Sequence, residues 1–298
     1  MAEKFVLSIT LFFFLLPLLC DSFLVQNQLV LNYHNGVLLK GNFKVNLIWY
    51  GKFSPAERSV IVDFIESLSE GSYQVQPSVS AWWKTTSKYA ARGVAKGLPS
   101  KLGVGNQLVL ADYSHGKLLH SADLLALASK VPATPSSVNV VLTSSDVAVD
   151  GFCMNRCGTH GISSGAPYLW VGNSEVQCPG YCAWPFHQPL YGPQTPPLVS
   201  PNGNVGVDGM VITLATLLAN TVTNPFRNGY FLGPAEAPLE AVSACTGIFG
   251  TGSYPGYPGQ LLSEKTTGSS FNAYGVRGRK YLLPAMWDPE TSMCKTMV

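Results

Sequence analysis

Residues 45–68 read VNLIWYGKFSPAERSVIVDFIESL, and their order decides the fold class. Val45 to Tyr50 is a β-branched and aromatic run that suits a strand, and a turn follows it. Ser54, Pro55 and Glu57 then form a helix start: Ser54 can cap, Pro55 fits the first helical position, and Glu57 can complete a capping box. Val60, Ile61, Phe64, Ile65 and Leu68 recur at helical spacing, so the segment predicts an amphipathic helix laid on a sheet.

Working outward, a second helix is expected over Ala81 to Tyr89, carrying Trp82 and Trp83. Short strands are expected at Leu108–Ala111, Val138–Leu142 and Tyr168–Val171, with a helix over Asp123–Lys130 between them. This alternation places the chain in the α/β class, with an α+β tendency: a sheet flanked by helices. From Gly151 the texture changes to Cys, Gly, Pro and Trp, which predicts a loop-rich, disulfide-stapled C-terminal half. Within that half Asp208 to Val222 reads as one helix, apolar on nearly every side and therefore central and buried. After Pro225 irregular structure is expected, with tight turns at Tyr254-Pro-Gly-Tyr-Pro-Gly259 and a last strand near Arg279–Pro284.

The N-terminus bounds the address. Lys4 precedes an almost unbroken apolar run from Phe5 to Leu19, shorter than the roughly 20 residues a spanning helix needs, and small residues Cys20 and Ser22 follow. Residues 1–22 therefore read as a secretory signal peptide, leaving residues 23–298 as a single domain with no membrane segment. The full chain carries a formal charge of +2. So weak a balance excludes nucleic acid as a partner. Cys20 leaves with the leader, and Cys153, Cys157, Cys178, Cys182, Cys245 and Cys294 remain, an even number that reads as three disulfides in an oxidising compartment. Many pairings are open; the favoured one joins neighbours within each C-x3-C segment and links Cys245 to Cys294. No Asn-x-Ser/Thr sequon occurs, so N-glycosylation is not expected.

Chemistry is harder to find. Gly161-Ile-Ser-Ser-Gly165 matches the G-x-S-x-G elbow of serine hydrolases, but that motif needs a strand before it and a helix after it, whereas a cysteine-rich loop and a strand are expected here. His160 and His187 lie close to cysteines, yet zinc needs thiolates and export favours bridged sulfurs, so no metal and no cofactor is expected. His34, His115 and His120 read as turn or surface residues. Trp82, Trp83 and Trp184, with Trp170 and Tyr191, are candidate contact aromatics that could stack on sugar rings, with core packing the competing account. No carboxylate pair suited to glycoside hydrolysis stands out.

Several longer motifs carry a resemblance: Leu31-Asn-Tyr-His-Asn-Gly36, Gly151-Phe-Cys-Met-Asn-Arg-Cys-Gly158, Cys182-Ala-Trp-Pro-Phe-His-Gln188, Asp208-Gly-Met210, Thr223-Asn-Pro-Phe226, Asn272-Ala-Tyr-Gly275 and Arg279-Lys-Tyr-Leu-Leu-Pro284. Together they resemble the plant EXORDIUM, or phosphate-induced protein, family across the whole mature chain. The resemblance implies a secreted protein of the plant apoplast or cell wall, involved in growth and cell expansion, responsive to brassinosteroid or linked to carbon status. It implies no reaction.

A second resemblance bears on mechanism. Some secreted microbial proteins similar to this family carry a helix reading His-Glu-Leu-Ala-Glu-Ala-Val-Thr-Asp-Pro, like the zinc helix of zincin proteases. Matching its end to Thr223-Asn224-Pro225 puts Thr216 at the ligand His, Leu217 at the Glu and Asn220 at the next acidic position. None of the three can do that work, so the expectation is a zincin-like scaffold without metal ligands, its helix lying under a cleft faced by Thr216 and Asn220. Two functions follow. The first is a non-catalytic factor that binds a cell-wall polysaccharide or an extracellular surface protein; the second is an extracellular hydrolase of wall glycan or peptide.

Overall fold

The strand read at Val45–Tyr50 begins at Phe43, and its two neighbours come from later parts of the chain. The computed structural model describes residues 29–69, 71, 75–90, 101–154 and 156–298; the expected signal peptide, residues 1–22, lies outside them. Strands β1 (Phe43–Tyr50), β2 (Leu102–Leu110), β3 (Ser137–Thr143), β4 (Gly158–Ser163) and β5 (Ala166–Gly172) form one sheet in the order β2-β1-β3-β5-β4. The first four in that order are parallel and β4 is the antiparallel edge. Val45 lies opposite Val138, and Val140 lies between Leu47 and Leu169.

Both faces of this sheet are covered, which is why β1 and β3 are near-continuous apolar runs. Val45, Leu47 and Trp49 share a buried cluster with α1 (Pro55–Ser67), α2 (Val79–Lys84) and α4 (Val205–Thr223). Ile48 and Tyr50 point the other way, into a cluster with α3 (Ser121–Ala128), Trp170 and the cysteines 178 and 182. The α1 start forms as its residues dictate: Ser54 Oγ accepts from the Glu57 amide at 3.2 Å while the Glu57 carboxylate accepts from the Ser54 amide at 2.7 Å. Two buried amides stitch the second face, with Asn46 Nδ2 donating to Asn139 Oδ1 at 2.8 Å and Asn139 Nδ2 donating to the carbonyls of Ala128 and Val131.

Helix α4 is capped by the Asn204 side chain, which accepts from the Val207 amide, and it stops before Pro225, which has no N–H to donate. By length and composition it could cross a membrane, but it is mostly enclosed here, against α1, the β4–β5 edge and the turn Pro179–Cys182. Two glycines permit that contact. A Cβ on Gly158 would stand 2.8 Å from Leu217 Cδ1, and one on Gly209 would stand 2.8 Å from Ala183 Cβ.

The structure corrects three local expectations. The strand expected at Leu108–Ala111 starts at Leu102, because pairing with β1 holds Gly103 and Gly105 in a ladder their own propensity disfavours. The expected loop before Gly161 is strand β4, which turns into β5 through Ser164 and Gly165, both with positive φ (52° and 80°). Gly161–Gly165 is thus a hairpin, and Ser163 Oγ lies 3.0 Å from Ser129 Oγ. The third correction concerns the disulfides: Cys153 bonds Cys178 and Cys157 bonds Cys182, rather than each C-x3-C segment closing on itself. Cys178 and Cys182 sit four apart on one helical turn and project the same way, so their sulfurs both reach the facing segment. The expected Cys245–Cys294 bond is present.

Candidate ligand-binding site

The helix positions matched to the zincin motif are built into the fold. Thr216 Oγ1 donates to the Ile212 carbonyl of its own helix at 2.9 Å, and Leu217 is only 8% exposed where α4 meets β4. Asn220 is buried; its Oδ1 accepts from the Val242 amide at 2.9 Å and its Nδ2 lies 3.4 Å from Ser243 Oγ. Asn220 therefore faces the segment Glu240–Ser243 rather than the expected cleft.

The next helix turn continues this lock. Asn224 Nδ2 donates to Glu240 Oε1 at 2.7 Å, while Asn224 Oδ1 accepts from the Gly229 amide. Glu240 Oε2 meets His160 Nε2 of β4 at 2.9 Å, and His160 Nδ1 is buried without a hydrogen-bond partner. Among the described residues, no group of three or more His, Cys, Asp or Glu side chains could hold a metal ion.

The candidate tryptophans separate sharply. Trp82 and Trp83 are 1% and 2% exposed, and Trp82 Nε1 donates to the Pro284 carbonyl at 2.7 Å. As contact residues they are corrected to core, because the short helix that carries them is enclosed by the sheet's first face. Trp184 is different. It follows the Cys182 bridge, packs its ring against Phe249 with centroids 5.7 Å apart, and is shared by two grooves.

The first groove, about 510 Å³, is walled by Tyr191, Pro193, Ile248 and Tyr254. The second, about 370 Å³, is walled by His187, Pro196, Leu198 and Tyr257. Both walls are tied down: the Leu198 amide donates to the Pro185 carbonyl, and Thr195 Oγ1 donates to the Gly256 carbonyl at 3.0 Å. Tyr254 and Tyr257 exchange two backbone hydrogen bonds, and their rings lie 5.1 Å apart. Tyr191 is 87% exposed and Tyr254 is 64% exposed, so two large rings stand in solvent on a braced rim. Such rings on well-fixed loops make these grooves the candidate contact surface.

A third groove, about 720 Å³, is built from charge. Arg277 Nη1 lies 2.6 Å from Asp63 Oδ1 and 2.5 Å from Glu66 Oε2. Arg279 Nε lies 3.0 Å from Asp63 Oδ2, and Lys280 pairs with Glu264. Beneath it Asp208 is buried at the start of α4. Desolvation raises its carboxyl to about 6, against the opposing hydrogen bonds from Asn202.

Tyr254 and Tyr257 were read in the sequence only as part of a turn run. The available signal was the pair of Tyr-Pro-Gly repeats, since Pro and Gly suffice for the turns and leave the tyrosines without a local role.

The fold and site define an α/β protein whose irregular, disulfide-braced half carries an aromatic double groove. The chain belongs to the phosphate-induced protein 1 family, whose conserved region matches residues 31–297. It is 61% identical to protein EXORDIUM-like 2 of Arabidopsis thaliana, over 99% of this chain and 98% of that protein. It is 59% identical to protein PHOSPHATE-INDUCED 1 of Nicotiana tabacum, over 92% and 90% of the two chains, and 57% identical to protein EXORDIUM of Arabidopsis thaliana, over 90% of each. No solved structure matches.

Proposed function

We propose that this is a secreted protein of the plant apoplast or cell wall that supports growth and cell expansion by binding without catalysis. Its contact surface is the double groove around Trp184. The observation that carries this reading is the exposure of Tyr191 and Tyr254 on a rim held by the Tyr254–Tyr257 backbone pair and by the side-chain hydrogen bonds of Gln194 and Thr195. Pre-ordered aromatic rims bind at low entropic cost, since little is left to immobilise. Family membership and three disulfides are in keeping with an extracellular growth-related role.

The test is expression of the full chain in plant cells. The secreted form should begin near Phe23 on N-terminal sequencing and should stay with the wall fraction on low-salt washing. Equal wall retention of a Trp184→Ala, Tyr191→Ala double variant would remove the groove from this reading.

Extracellular hydrolysis is the second reading, and the His160–Glu240 pair favours it. A carboxylate-oriented imidazole with one open nitrogen is the form a general base takes. Both side chains are enclosed and neither lines the three grooves described, which weighs against access for a polymer. Release of shortened oligosaccharides or peptides, lost in His160→Gln, would establish this reading over the first.

A further inference from the structure

Resting on the reading of the Trp184 grooves as the contact surface, we infer that their occupant is a neutral polysaccharide chain of pyranose rings. The chain lies across Trp184, from the Tyr191–Tyr254 rim to the Tyr257–His187 side. Charge is the first argument. No Asp, Glu, Lys or Arg lines either groove. A polyuronate would bring one carboxylate per ring into a cleft whose lining holds no Lys or Arg and a single imidazole, His187, and desolvating unpaired charge is costly. The chain does possess a basic groove, but Asp63, Glu66 and Glu264 neutralise it pair by pair.

Surface chemistry is the second argument. A pyranose offers an apolar C–H face and a rim of hydroxyls, and the grooves offer aromatic faces edged by the hydroxyls of Thr246, Ser253 and Ser270. The Ser253 and Ser270 hydroxyls can donate and accept, as sugar hydroxyls do, while Thr246 Oγ1, which donates to the Ser243 carbonyl, can accept. A proline-rich peptide also favours aromatic grooves, but polyproline has no donor for the accepting oxygens of Thr246, Ser253 and Ser270, whereas each sugar hydroxyl supplies one.

Size is the third. Each groove falls in the ~300–1,000 Å³ range that takes one compact ligand. A chain fills both grooves across the shared tryptophan, whereas a single sugar fills a fraction of one.

Isothermal titration calorimetry of the secreted mature protein tests this with four probes: cellohexaose, xylohexaose, hexagalacturonate and a decaproline peptide. At least one neutral hexasaccharide should bind, more tightly than its disaccharide and with little dependence on salt. Tyr191→Ala with Tyr254→Ala should weaken binding by at least about tenfold, which corresponds to ~1.4 kcal/mol. Both rings are exposed, so this variant keeps its fold, and Trp184→Ala should abolish binding. Failure of both neutral hexasaccharides to bind overturns the inference. Hexagalacturonate or decaproline binding that the double tyrosine variant removes also overturns it, while leaving the groove as the contact surface. Neutral-chain binding that survives all three substitutions overturns the site itself.

Discussion

Between Phe43 and Gly172 backbone N–H and C=O groups meet one another along five strands, whereas between Val199 and Leu283 many of them are met by side chains. Asn272 is the clearest case. Its Nδ2 donates to the carbonyls of Phe249 and Leu283, and its Oδ1 accepts from the Leu283 amide. Asn220 and Asn224 do the same for Val242 and Gly229. A ladder satisfies backbone groups by repetition, so it forces a regular surface. Amide side chains satisfy them one at a time and leave the chain free to wander, and the irregular half uses that freedom to present Tyr254 outward. Both halves obey the same requirement, that buried polar groups find partners.

The comparison can be broken by substitution on each side. Phe64→Ala, in the helix on the sheet, should cost about 3–5 kcal/mol through the cavity it leaves, measured by urea unfolding. Asn272→Ala should cost roughly 3 kcal/mol or more, since several buried backbone groups lose partners at ~1–3 kcal/mol each. A near-neutral Asn272→Ala would show that the irregular half is not held by its amides.

The covalent staples sharpen the contrast. On a chain-entropy estimate the Cys245–Cys294 loop contributes about 4 kcal/mol, so replacing both cysteines with serine should lower the unfolding midpoint strongly. The other two bonds are parallel rungs over the same stretch, each spanning 25 residues. Once Cys153–Cys178 is closed, Cys157–Cys182 restricts little more. The Cys157→Ser, Cys182→Ser variant should lose clearly less stability than the Cys245→Ser, Cys294→Ser variant, and equal losses would refute the rung account.

Asp208, at the seam between the halves, gives stability a pH dependence. Its carboxyl lies raised from 3.8 to about 6 by burial, so the folded state holds this proton more tightly than the unfolded one. The contribution is complete below about pH 4 and is lost as pH rises through 6, a change of about 3 kcal/mol at ~1.4 kcal/mol per tenfold. Unfolding free energy measured from pH 4 to 7 should fall more steeply in the native chain than in Asp208→Asn.

The smallest effect lies on the sheet's exposed end. The hydrogen bond from His120 to Asp150 raises the imidazole above 6.5. That pairing favours the fold below pH 6.5 and fades as pH rises through the raised value. A proton NMR titration should place the His120 midpoint above 6.5 and return it toward 6.5 in Asp150→Asn, with little change in stability.

Much of the sheet half was legible because its signals are local. The capping box at Ser54 and Glu57 and the spacing from Val60 to Leu68 act over four residues or fewer, and the structure forms the helix where those residues stand; in the other half the apolar run from Met210 to Ala219 marked α4 in the same way. Strand β4 was missed because Gly158-Thr-His-Gly-Ile-Ser163 has little strand propensity of its own; it is a strand because β5 offers it a free edge. The site was half legible. Trp184 was a candidate on composition, but Trp82 and Trp83 looked the same by that criterion.

The sequence by itself determined the α/β class, the even set of six paired cysteines, the central apolar helix and the resemblance that led to the family. Tertiary structure alone decided which cysteines pair, which tryptophans are core, and that Tyr191, Trp184 and Tyr254 share one rim. The physical reason is range. Capping, periodicity and charge balance are properties of neighbours in the chain, whereas exposure and disulfide partnership depend on what distant segments bring to the same place.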